Sequence, residues 1–111
     1  MVKNELLKAL ARCRVILESD AEKVFQLKPE EIEELILQKI IVRKETNDKK
    51  KVLLLTEKGE HFFKQENPEF GEIYRGFILE HDLTLMDFYL RRTKEERDSW
   101  STKDDMIKAF Q

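Results

Sequence analysis

The strongest constraint on folding lies at Ile40, where apolar residues stop recurring three or four apart and begin to cluster. Residues 40–56 read IIVRKETNDKKKVLLLT, in which two apolar runs bracket Glu45-Thr46-Asn47-Asp48-Lys49, a tip whose Asn and Asp suit a turn. This pattern predicts a two-stranded β-hairpin. A lone hairpin is at best marginally stable in water, so helices must cover one of its faces.

The flanking sequence supplies those helices. Glu5 to Arg14 carries Leu6, Leu7, Leu10 and Cys13 at helical spacing, with Lys8 and Arg12 on the opposite side. Ser19 or Asp20 can cap a short second helix ending near Phe25 and burying Ala21, Val24 and Phe25. Pro29 suits the first turn of a third helix, because its missing amide would have had no partner there, and Ile32, Leu35 and Ile36 give that helix its stripe up to about Lys39. After the hairpin, Thr56 caps a helix from Glu57 to about Gln65 that Asn67-Pro68 ends. A longer helical pattern then spans Phe70 to about Arg92, with Gly76 or His81-Asp82 as break points, and Ser101 or Thr102 opens a last helix carrying Met106, Ile107 and Phe110.

The 111 residues, 41% of them hydrophobic, suffice for one modest core and hence one domain. Although 40% of the residues are charged, the net charge is only −2, so attraction to a polyanion has to come from local clustering. Cys13 is the only cysteine, which excludes an internal disulfide and fits a reducing cytoplasm. No apolar run approaches the roughly 20 residues that span a bilayer, and MVKNELLKAL lacks a cleavable hydrophobic segment, so a cytoplasmic protein without a membrane partner is expected.

Three helices followed by a hairpin is the element order of a winged helix-turn-helix. The phrasing LLKALARCRVI, AEKVFQL, ELILQKIIVRK and VLLLTEKGEHFF resembles the winged-helix domain of the replication-relaxation family, and EHDLTLMDFYLRR is similar to the segment that follows the wing there. The resemblance covers most of the chain up to about Arg92, and its LT-x-x-G element is Leu55-Thr56-Glu57-Lys58-Gly59. It implies an α+β, mostly helical fold, with a winged helix-turn-helix over 1–66 and helices over 67–111 that pack on the core or on a second copy. It also implies double-stranded DNA as partner, an accessory role at a plasmid or mobile-element origin of transfer or replication, and a relaxase or other transfer or replication protein nearby. The sequence departs from the family twice. Gln38-Lys39 stands where a glycine usually separates the third helix from the first wing strand, which predicts a different turn there. The third helix reads PEEIEELILQK, and Glu30, Glu31, Glu33 and Glu34 disfavour its insertion among phosphates.

The wing is therefore the expected DNA contact. Residues 43–51 hold Arg43, Lys44, Lys49, Lys50 and Lys51 against Glu45 and Asp48, a surplus of three positive charges on an element thin enough to enter a groove. The bland alternative is a solvated loop that keeps the hairpin edge from aggregating. Asn47 can read a base edge or shape the turn, the latter being its usual work. Lys3, Asn4, Lys8, Arg12 and Arg14 on the first helix form a second candidate contact, or else a polar face paired with Glu5 or Glu18.

The apolar stripe Ile73, Tyr74, Phe77, Ile78, Leu85, Met86 and Tyr89 exceeds what the small core needs and is expected to face a second copy. Tyr74, Phe77, Phe88 and Tyr89 could also stack bases, but their aliphatic neighbours favour core or dimer contact. His81-Asp82 could ligate a metal, yet the only other histidine is His61, so a cap or buried pair fits better. Asp82 and Asp87, five apart, share no helix face, and no G-x-S-x-G, P-loop or Cys-His pair occurs. No enzymatic activity, cofactor or metal is expected. Three rivals remain: an adaptor that docks a basic protein on its acidic third helix, a transcriptional regulator of the mobile element, and a relic of a larger enzyme, which the well-formed last helix disfavours.

Overall fold

A computed structural model describes residues 2–76 and 78–110. Among them the chain is α+β: seven helices and one three-stranded antiparallel sheet, in the order α1 (Val2–Cys13), β1 (Val15–Leu17), α2 (Glu18–Val24), α3 (Pro29–Leu37), β2 (Ile41–Glu45), β3 (Lys51–Leu55), α4 (Glu57–Glu66), α5 (Leu79–Leu90), α6 (Lys94–Asp98) and α7 (Thr102–Ala109). One hydrophobic cluster joins α1, the sheet and α3 to Leu85, Met86 and Tyr89 of α5, so the residues before and after 66 share a single core.

The sheet corrects the two-stranded expectation. Its order is β1-β3-β2, because Val15-Ile16-Leu17 pairs with Leu54-Leu53-Val52 and covers the second edge of β3. By register Ile16, Leu53 and Ile41 fall on one face, and all three lie in the core. Because β1 runs directly into α2, that helix begins at Glu18 without any side-chain cap, and neither Ser19 nor Asp20 serves as one. The segment 70–76 is also not helical. Tyr74 donates its amide to the Ala11 carbonyl at 2.8 Å instead of to its own chain four residues back, which lays the segment along the end of α1. Gly76 permits this course, since a Cβ there would collide with the Asp82 carboxylate. Phe77 lies outside the described residues. Helix α6 was not foreseen, although Thr93 and Glu96 form its reciprocal capping box.

At the base of the hairpin the chain keeps the turn a glycine would make, not the different one expected from Gln38-Lys39. In place of the missing glycine, Lys39 adopts the left-handed conformation, with φ of 62°. Its amide bonds to the Ile36 carbonyl at 2.9 Å and that of Ile40 to Leu35 at 3.0 Å, the paired bonds of a Schellman ending. A lysine thus takes the turn a glycine would make, at a cost of about 1 kcal/mol. The Ile40 carbonyl in turn accepts the Thr56 amide at 3.1 Å, and the Thr56 hydroxyl donates toward the carbonyls of Lys39 and Ile40. That same hydroxyl accepts the Gly59 amide at 2.8 Å, capping α4. Gly59 packs directly on the Ile40 carbonyl, where a Cβ would overlap the oxygen.

Two substitutions with opposite signs test this junction in urea or thermal unfolding. Lys39→Gly should gain up to about 1 kcal/mol by removing left-handed strain. Gly59→Ala should lose at least about 1–3 kcal/mol, because its Cβ displaces backbone. An unchanged midpoint for Gly59→Ala would show that the junction is not tightly packed.

Candidate nucleic-acid interface

The hairpin's regular pairing ends at Glu45 opposite Lys51. Beyond it, Thr46 organises the tip: its amide donates to the Lys50 carbonyl at 2.8 Å, its carbonyl accepts the Lys49 amide at 2.9 Å, and its hydroxyl accepts the Lys50 amide at 3.0 Å. The Thr46 hydroxyl also donates to the Asp48 carboxylate, and this bond holds Asp48 below its usual carboxylate range. Lys49 closes the turn in the left-handed region, with φ of 63°. Asn47 sits exposed on the turn itself. The result is a hydrogen-bonded tip from which Lys49, Lys50 and Lys51 project, with Lys44 exposed on β2 beside them. Lys50 approaches Asp48 at 3.6 Å, but both side chains are nearly two-thirds exposed, so the pair contributes little.

Arg43 has a different role. Its Nε and Nη2 donate to both oxygens of Glu18 at 2.5 and 3.1 Å, and Nη2 also reaches Glu33 at 2.5 Å. These bonds push the guanidinium pKa further up. They tie β2 to α2 and α3 and occupy the charge that the sequence offered to DNA. Arg43 is therefore corrected from a contact to a clamp. Two glutamates in place of one partner leave this corner of the molecule acidic, and the exposed Glu30 and Glu34 extend that character along α3.

The first-helix candidates are engaged within the chain as well. Lys3 pairs with Glu34 at 3.4 Å, Lys8 with Glu5 at 4.0 Å, and Asn4 accepts from Asn67 at 3.4 Å. Arg12 donates to the Tyr89 hydroxyl at 3.0 Å and lies 5.6 Å over the Phe70 ring. Arg14, itself left-handed with φ of 79°, forms an ion pair with the buried Asp82. The other Asp82 oxygen accepts the Tyr74 hydroxyl at 2.7 Å, and burial followed by this bond raises the Tyr74 pKa to about 12. Arg12 and Arg14 thus face the C-terminal layer, which corrects their assignment to an outward basic face. Asp82 has both oxygens satisfied inside the protein, and the His81 ring stacks on Phe110 at 4.1 Å between centroids. Among the described residues no group of three or more His, Cys, Asp or Glu could hold a metal ion.

The residues expected to meet a second copy also separate. Leu85, Met86 and Tyr89 are buried in the chain's own core, so they are unavailable to a partner. Ile73 and Tyr74 pack against the same core, whereas Ile78 stays 55% exposed. A surface groove lies between α4 and residues 71–75, where Arg75 pairs with Glu60 at 2.5 Å and Lys64 donates to the Phe70 and Gly71 carbonyls at 2.6 and 2.8 Å. At the hairpin Lys44, Lys49, Lys50 and Lys51 all remain exposed, four cationic side chains within eight residues. Compared with protein-family models, curated proteins and solved structures, the chain matches none. No helix of the described residues is long and apolar enough to cross a membrane.

Lys49→Gly separates charge from shape at this tip. It removes one cation yet relieves a left-handed residue, so unfolding should show a gain of up to about 1 kcal/mol. A loss of stability would mean that the Lys49 side chain holds the turn.

Proposed function

We propose that this chain is a winged-helix protein that binds double-stranded DNA through its lysine-tipped hairpin, not through its third helix. What supports the reading is the order α1-β1-α2-α3-β2-β3, which is that of a winged helix, together with the likeness of its motifs to the replication-relaxation family. The observation that carries it is where the cations stand: Arg43 and Arg14 are held by carboxylates inside the chain, while Lys44, Lys49, Lys50 and Lys51 are exposed on one narrow element, Lys50 meeting Asp48 in a solvent-exposed pair. Phosphate contacts from these lysines would place the hairpin on a groove, and the exposed amide of Asn47 is the group there able to read a base edge. By the same resemblance, the process served is transfer or replication of a mobile element, with a relaxase or similar protein as a further partner.

A second reading draws on one exposed residue. Leu37 is 81% exposed and shares the face of Glu30, Glu33 and Glu34, a combination suited to docking a basic, partly apolar protein segment. As an adaptor of this kind the chain would form no sequence-preferring complex with DNA.

The two readings part in a binding titration against duplex fragments from the element that encodes the chain, at several salt concentrations. The hairpin reading predicts that replacing Lys49, Lys50 and Lys51 together with Ala weakens binding at least about tenfold and flattens the log–log salt slope by about 0.9 for each lost phosphate contact. Glu30→Gln should leave affinity unchanged or raise it. A loss with Glu30→Gln and none with the lysine variant would reject the hairpin as the contact.

A further inference from the structure

We propose that the hairpin enters the major groove of DNA tip first, with Asn47 and Asp48 on base edges and Lys44 and Lys51 on the phosphates of opposite strands. The inference deepens the hairpin reading above and rests on it. Residues directly opposite one another in an antiparallel pair share a face, and successive residues alternate between faces. Lys44 lies opposite Val52, whereas Lys51 lies opposite Glu45, so the two exposed lysines stand on opposite faces of the ribbon. The Lys51 face is the one that carries Leu53 into the core and Arg43 to Glu18 and Glu33. Laid flat on a duplex, the ribbon brings only one of the two lysines to the backbone. Entered by its tip, it turns one toward each wall of the groove.

The dimensions select the groove. Stacked sheets lie about 10 Å apart, which is the thickness of a ribbon bearing side chains on both faces. The major groove is about 12 Å wide and 8.5 Å deep, whereas the minor groove is only about 6 Å wide. At about 3.3 Å per residue, Lys44 stands at most roughly 10 Å behind Asn47, so a tip on the floor of the major groove leaves the lysines level with its rims. Charge points the same way. Glu45 and Asp48 are both exposed at this end of the hairpin, and the Thr46 hydroxyl holds the Asp48 carboxylate on the tip. A narrow minor groove concentrates negative potential and opposes two carboxylates. The floor of the major groove instead offers amino donors: adenine N6 and N7 match the Asn47 amide, and cytosine N4 matches the Asp48 carboxylate. Asp48 thus joins Asn47 as a residue that determines specificity.

Dimethyl sulfate distinguishes the grooves in one experiment, because it methylates guanine N7 in the major groove and adenine N3 in the minor groove. In a duplex selected from a random pool for binding the chain, N7 methylation within the site, including that of the guanine paired with the Asp48 cytosine, should interfere with binding, and N3 methylation should not. Lys44→Ala and Lys51→Ala should each flatten the log–log salt slope by about 0.9, one phosphate apiece. Asp48→Asn, which keeps an oxygen for the Thr46 hydroxyl, should lower the ratio of selected to scrambled affinity at least about fivefold. Interference confined to adenine N3, a salt slope moved by only one of the two lysines, or an Asp48→Asn variant that discriminates as before would each overturn this geometry while leaving hairpin binding intact. Binding that the combined Lys49, Lys50 and Lys51 replacement does not weaken would instead reject the reading beneath it.

Discussion

The carbonyl of Ile40 is the point on which the shape of the molecule turns. It accepts the amide that follows β3 and receives the close approach of Gly59 in the first turn of α4, while the amide of the same residue closes the end of α3 on Leu35. Three elements are therefore located by the backbone of one residue, and the direction in which the hairpin leaves the body follows from it. The left-handed Lys39 shows how strongly this geometry is required: the chain accepts an unfavourable conformation to keep the turn a glycine would otherwise supply.

Electrostatics then act on that frame by subtraction. With 21 basic and 23 acidic side chains, the sequence as a whole carries no pull toward a polyanion. What matters is which cations keep their charge available. Buried or bidentate partners claim three of the arginines: Asp82 takes Arg14, Glu18 and Glu33 take Arg43, and Tyr89 with Phe70 holds Arg12. The lysines of the hairpin have no such partners. This division suits the two side chains, because a planar guanidinium fits a fixed carboxylate, whereas an ammonium on a flexible stem serves a mobile, solvated contact.

Local features of the fold were legible in the sequence because each had a local cause. Pro29 marked the start of α3, Thr56 capped α4, and the apolar runs on either side of Asn47-Asp48 gave the hairpin. Strand β1 escaped because three residues are too few to show a period, and only its contiguous Val15-Ile16-Leu17 hinted at it. The spacing of Ile73, Tyr74 and Ile78 imitates a helix, but the segment is laid out by a bond to Ala11, more than sixty residues earlier. The site divided along the same line. The lysine cluster could be read from adjacent residues, while the fates of Arg43, Arg14 and Arg12 depend on partners 25, 68 and 77 positions away. The apolar residues of α5, expected to face a second copy, find their cover in α1, β1 and Trp100 of their own chain.

The proposed DNA contact is the lysine-tipped hairpin rather than α3. Backbone amide chemical shifts followed during titration with a duplex fragment address it most directly. The account predicts that the largest perturbations fall on Lys44 and on Asn47 through Lys51, with Glu30, Glu33 and Glu34 nearly unmoved. Perturbations centred on α3, with the hairpin silent, would contradict it.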